Sequence, residues 1–353
     1  MRSRRLRSNR LLFLFVPATA AELNLRDSSR ATLTLALAFV ALSLIIPARA
    51  DQATMPRIAV LLPAATIGLD EQGLREGLRD LGYVEGTSIR IDWRRLLGTS
   101  DETGEKLGAL VADIERAKVN VLVVFSTPAA RAALTATKIP VVFLVGDPVG
   151  TKLAMSLSHP GGRGTGVSML MPEMVSKRVE LLLQLAPGIR RIVFLTNSYN
   201  PLNVRMLEEA RRATAALGVE LTTVDVRSAE ELDAALHTMP RGTTDGLVVS
   251  PDLLLLANKA KISQAVRKAR LPAIFPYRVY HEDGVLMSYG GSVKDGARKL
   301  AVYVDKILKG ADPSELPIEQ MSKYELVVDL RVARAMGIHV PPGLLQRADE
   351  VIR

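Results

Sequence analysis

Short, continuously apolar runs alternate with amphipathic stretches through most of the chain. The run 57–63 (RIAVLLP) predicts a buried strand, and EQGLREGLRDLG (71–82) places apolar residues at helical spacing before a Gly stop. SIRIDWR alternates as a strand, GEKLGALVADIERAK predicts a helix, and VNVLVVF returns to the sheet. Strands that alternate with helices in this way build parallel sheets covered on both faces, an α/β fold.

The order then repeats. RRIVFLTNSYNP (190–201) parallels the first strand and its loop, RMLEEARRATAALG ends on the same Leu-Gly as the first helix, and VELTTVDV matches SIRIDW. LVVFSTPAA … TKIPVVF recurs as LVVSPDLLL … ARLPAIF, with Ser126 opposite Ser250. The repetition predicts two Rossmann-like lobes with parallel sheets, joined by a multi-strand hinge. The expected division is 51–167 plus 284–317 for the first lobe and 168–283 plus 318–353 for the second. Ligands of open α/β sheets bind beyond the carboxyl ends of the strands, which puts the cleft loops at 63–70, 126–130 and 146–151 in one lobe. Their counterparts in the other are 196–203, 250–254 and 276–283.

Residues 1–50 stand apart from this plan. Arg2, Arg4, Arg5, Arg7 and Arg10 come first, then Arg30, an apolar run from Ala31 to Ile46, and Ala48-Arg49-Ala50. That order predicts a cleaved export signal, with an apolar run shorter than the ~20 residues that span a bilayer. The length before Arg30 is unusual for a signal and suggests a start codon downstream of Met1. Removing the leader takes away 8 of the 46 basic and 2 of the 37 acidic residues, and the net charge falls from +9 to +3. The remaining basic residues scatter over helix faces, so no nucleic-acid partner is expected. The chain has no Cys, which excludes disulfides, a thiolate metal site, a Cys nucleophile and a lipid-anchored Cys. A freely soluble, periplasmic monomer is expected.

Candidate chemistry gathers on the cleft loops. Ser126-Thr127-Pro128 reads as a helix start whose backbone N–H groups, including that of Ala129, suit a carboxylate; ordinary capping accounts for the same residues. Asp147 after an apolar strand could meet an ammonium group or form an Asx turn before Pro148. Asn197, Tyr199 and Asn200 follow one strand of the second lobe, and Ser250 and Asp252 follow another. Tyr199, Tyr277, Tyr280 and Tyr289 fall in or beside the cleft segments and offer flat rings with polar tips; core packing is the alternative for Tyr289 and a solvated loop for Tyr280, and Trp93 reads as structural. The four His show no metal-ligand spacing, and neither a metal nor another cofactor is expected. His281-Glu282-Asp283 reads as a surface turn, and the Gly cluster 161–166 as a crossing loop rather than a dinucleotide site.

Several stretches together resemble the substrate-binding proteins of ABC transporters, in the branch that includes tryptophan- and tyrosine-binding members. They include GLRDLGYVEGTSIRIDWR, STPAARAA, IPVVFLVGDPV, HPGGRGTGVS, GVLMSYG, AVYVDKILKGADPSELPIEQ and YELVVDLRVARAMGIHVPPGLLQRADEVI. The resemblance implies a type I periplasmic binding protein that closes around a small solute, an amino acid or related carboxylate, and delivers it to an ABC permease in the inner membrane. It also favours solute binding at Ser126 and Thr127 over simple capping. One departure is Thr151-Lys152, where the family has a Gly-Leu-Val step after DPV, and Lys152 puts transfer of an aromatic ligand in doubt. The alternatives are an exported hydrolase-like α/β enzyme using the same cleft and a transcription regulator of the same fold; the regulator would need a DNA-reading module where this chain has its leader.

Overall fold

The computed structural model describes residues 55–63, 68–96, 105–242 and 244–353; the export signal, and residues 64–67 of the first cleft loop, lie outside them. The first lobe begins with β1 (Arg57–Pro63), α1 (Leu69–Asp80), β2 (Arg90–Leu96), α2 (Glu105–Arg116), β3 (Val121–Val124), α3 (Thr127–Ala136), β4 (Val141–Val145) and β5 (Gly164–Ser168). The second follows with α4 (Met171–Leu185), β6 (Arg191–Thr196), α5 (Pro201–Ala216), β7 (Glu220–Asp225), α6 (Ala229–His237), β8 (Asp245–Val249), α7 (Leu253–Ala257), α8 (Lys259–Ala269), β9 (Ala273–Phe275), a 3-10 turn (Arg278–Asp283) and β10 (Met287–Gly291). The chain returns to the first lobe for α9 (Val293–Leu308) and β11 (Glu319–Gln320). It ends in the second with β12 (Tyr324–Asp329), α10 (Leu330–Met336), α11 (Pro342–Arg347) and β13 (Glu350–Ile352).

The first sheet runs β2-β1-β3-β4-β5-β11 and the second β7-β6-β8-β9-β10-β12-β13. Five strands of each follow the same order, which is the repetition read from the sequence in three dimensions. All pairings are parallel except β10 with β12. β3, β4, β8 and β9 are buried at every position, as strands covered on both faces must be; their one charged residue, Asp245 at the start of β8, is paired with Arg191. β2 and β7 form edges and carry mixed burial.

Two boundaries differ from the expected ones. β10 pairs with β9 and β12 in the second sheet, so the strand expected to open the return to the first lobe stays in the second. β10 extends the second sheet beside β9, and the crossing occurs after it, at Ser292 between β10 and α9. β11 pairs with β5 in the first sheet, although it falls in a segment expected in the second lobe.

α9 is anchored against α1 by close backbone contact. A Cβ on Gly77 would stand 2.5 Å from the Arg298 carbonyl oxygen and 2.8 Å from the Ala301 Cβ, and one on Gly73 would collide with the Lys294 carbonyl. Glycines four residues apart put both contacts on one helix face. The lobes join where β5 leads to α4, β10 to α9 and β11 to β12. Two of these links are bonded to each other: Met321 N–H donates to the Ser168 carbonyl, and the Tyr324 hydroxyl to that of Met169 at 3.4 Å. These crossings at the ends of strands and helices are where a hinge can bend, although one buried apolar cluster runs from β1 and α1 of the first lobe to β6 and β8 of the second. The Gly cluster runs from the loop at Gly161 and Gly162 into β5, whose Gly166 has φ +144° with no room for a Cβ beside Phe143.

Candidate functional site

Where the carboxyl ends of the two sheets face each other lies a cavity of about 160 Å³. Its wall is largely apolar, with Phe125, Leu144, Met169, Met171, Leu202 and Tyr277 among the side chains that form it. The first residues of α1, α3, α4, α7 and α9, and the second of α5, also reach it. The doubly wound order explains this, because each helix starts where a strand ends. Converging N-termini give the cavity a positive backbone field that suits an anionic group.

The cap residues limit how many N–H donors remain. Ser126 and Thr127 line the cavity, but Ser126 Oγ accepts the Ala129 N–H at 3.2 Å and Pro128 has none. Ala129 is buried outside the wall with its N–H engaged. What α3 offers is the Thr127 N–H and two hydroxyls, fewer donors than its sequence suggested.

In the second lobe Asp252 and Asn200 line the cavity, and Asn197 stands behind them. Asp252 is held by four N–H donors: Asn197 at 3.2 Å and the Leu254 backbone at 2.9 Å on Oδ1, and Asn200 at 3.2 Å and Asn203 at 3.1 Å on Oδ2. Burial pushes its carboxyl up from the usual range while these donors pull it back. All four of these bonds lie within the second lobe. Tyr277 lines the cavity with its hydroxyl toward Met171 Sδ at 3.8 Å.

The other expected site residues lie elsewhere. Asp147 faces the opposite lobe, with its Oδ2 2.7 Å from Arg205 Nε on α5 and its Oδ1 accepting the Gly150 N–H. Tyr199 is 58% exposed, stacked beside Arg227 at 5.2 Å. Ser250 is fully buried below the wall. Tyr289 packs on Tyr324 at 6.1 Å and contributes its carbonyl to Arg178. Tyr280 is fully buried against Phe275 rather than solvated, because the 3-10 turn folds it back onto β9. His281 is buried too, its Nε2 3.0 Å from Ser288 Oγ, and burial pushes its ring down to about 4. Its neighbours Glu282 and Asp283 flank Lys259.

Residues the sequence did not single out include Asp70, buried in the first turn of α1, and Arg278, Gly290, Ser292 and Glu325, all in the wall. Arg278 is neutralised by Glu350, with two contacts of 2.7 Å. Asp70 and Arg278 fall within the expected cleft loops 63–70 and 276–283, where nothing in the pattern set them apart from their neighbours, and Gly290, Ser292 and Glu325 follow from where β10 and β12 lie at the crossing.

Residues 57–352 match the family model described as ABC transporter substrate binding protein. The chain is 24% identical over 283 residues to the tyrosine-binding protein of Clostridioides difficile (strain R20291), covering 80% of each. A conserved domain protein from Vibrio cholerae superposes with a TM-score of 0.75 at 27% identity, covering 84% of this chain and 99% of that one. A Streptococcus pneumonia ABC domain in complex with L-Trp gives the same TM-score at 24% identity and the same coverage. With nearly all of its described length matched, the chain belongs to the family of ABC transporter substrate-binding proteins.

Proposed function

We propose that this chain is the periplasmic receptor of an ABC importer, which encloses a small amino acid or related carboxylate between its lobes and delivers it to an inner-membrane permease. The observation that carries the reading is the interlobe cavity, apolar in its walls, with helix N-termini converging on it and the Asp252 carboxyl, held by four N–H donors, at one side. Its volume of about 160 Å³ is near the ~150 Å³ that accepts a benzene ring in an engineered apolar cavity. An apolar side chain would fill that space against Phe125, Leu202 and Tyr277. The solute's polar groups would meet the Thr127 N–H and nearby hydroxyls on one lobe, and the Tyr277 side of the wall and the Asp252 carboxylate on the other. The relatives named for tyrosine and solved with L-Trp favour an amino acid of this shape.

Binding needs no covalent step. A solute whose polar groups meet both lobes favours the closed arrangement by its differential affinity for it, and Asp147 with Arg205 adds a contact made only when the lobes meet. The permease would read that closure.

A thermal-shift screen of the chain from residue 51, against amino acids, aromatic acids, small carboxylates and sugars, tests the reading. A ligand at ~100 times its dissociation constant adds about 2.7 kcal/mol. Stabilisation by an amino acid is the expected outcome. Stabilisation by sugars alone would reject the solute class, and turnover of any compound would favour the enzyme alternative.

A further inference from the structure

The apolar stripe of α4 contains a charge. Met171, Val175, Arg178, Leu182 and Leu185 are buried at spacings of three and four, and Arg178 heads the fully buried side chains in size. Its Nε donates to the Tyr289 carbonyl at 2.8 Å, while neither Nη1 nor Nη2 has an acceptor. The polar side chains around it are the phenols of Tyr277, Tyr280 and Tyr289, and burial pushes the guanidinium down to about 10, which leaves it cationic at neutral pH.

Its position relates it to the cavity. Side chains on a helix lean toward the N-terminus, and Met171, two turns earlier on the same face, is in the cavity wall. A Cβ on Gly290 would stand 3.6 Å from Nη2, and Gly290 and Tyr277 are both wall residues. The guanidinium is therefore one layer of atoms behind that wall. Arg278, the cation in the wall itself, is paired with Glu350; Arg178 has no such partner among the described residues. Asp252 acts on the same two phenols, Tyr277 and Tyr280, with opposite sign, so a cation and an anion are set apart across Tyr277.

We propose that Arg178 is a specificity-determining residue: its unpaired buried charge makes the Gly290–Tyr277 wall anion-selective, so a solute presenting a carboxylate there is preferred to its neutral isostere. The charge acts through the intervening atoms and touches no solute. A unit charge ~6–8 Å away at an effective dielectric near 20 changes affinity by roughly thirty- to a hundred-fold. The solute's class rests on the function proposed above; the anion selectivity of the wall does not.

Two measurements separate these statements. In crystals grown from sodium bromide, anomalous scattering should locate bromide against Gly290 and Tyr277 in the wild type and not in Arg178→Met. A wild-type wall without bromide, or bromide persisting in the variant, overturns the inference even if amino acids bind. Should Arg178→Met fail to fold, Arg178→Gln serves in its place, and the wild-type crystal still decides. Titration of L-tryptophan against L-tryptophanamide, and of L-tyrosine against L-tyrosinamide, gives the second readout. The acid-to-amide affinity ratio should fall at least about tenfold in Arg178→Met and recover in Arg178→Lys, whereas a purely structural role would weaken acid and amide alike and leave the ratio unchanged, overturning the inference. Bromide seated as expected, with none of the four compounds bound, would support the charge assignment and reject only an aromatic amino acid as the solute.

Discussion

Asp252 shows how one residue can serve both the fold and the site. Four N–H groups converge on its carboxylate, three from asparagines on or beside the start of α5 and one from the cap of α7. Replacing it with Ala strands those donors in a buried place, and each unsatisfied group costs ~1–3 kcal/mol. Asp252→Ala is therefore expected to lower the unfolding free energy by about 2–4 kcal/mol in urea titration, as well as weakening solute binding. Thr127→Val is the contrasting case: it removes one wall hydroxyl at constant volume, so the urea midpoint should barely move while affinity falls roughly tenfold. A binding loss in Asp252→Ala without a stability loss would contradict this account of the asparagine cluster. Strand-tip signals in the sequence located Ser126, Thr127, Asn200, Asp252 and Tyr277 on the cleft side, but could not tell a residue in the wall from one a single layer behind it, as with Ser250 and Asn197. Arg178 left a legible trace, a charge on the apolar face of a helix pattern, whose meaning depends on the cavity beyond α4.

At the level of elements, alternation of apolar runs and helical patterns carried the sheet order, because parallel strands buried on both faces have little choice of sequence. Crossings were harder to place. Short strands such as β10 and β11 contain Gly, Ser, Glu and Gln, and only their pairing partners decide which sheet they join. α9 is tied to α1 through Gly73 and Gly77, which makes that contact a sensitive one. For Gly77→Ala, helix propensity alone would give a gain of up to ~1 kcal/mol, but the added methyl meets the Arg298 carbonyl, and overpacking costs ~1–3 kcal/mol. The expected net effect is a loss of about 1 kcal/mol by urea unfolding; a stabilised variant would show that α9 can move away at little cost.

For the whole molecule, contacts made across the cleft distinguish closed lobes from separated ones. Arg205 on α5 reaches Asp147, and a Cβ on Gly146 would run into Leu202. These contacts add little energy singly, since an ion pair this exposed is worth at most about 1 kcal/mol, so the solute must supply most of the bias toward closure. The absence of Cys in the chain permits labelling at chosen positions alone. Met155 in the first lobe and Tyr199 in the second are both exposed, and the pair Met155→Cys with Tyr199→Cys places one spin label on each lobe. The most direct measurement is the distance distribution between these labels as L-tryptophan, L-tyrosine or another stabilising solute is titrated. A shift to a shorter, narrower distribution that saturates with binding is the predicted result; saturation of the site with an unmoved distribution would contradict a receptor that works by closing on its solute.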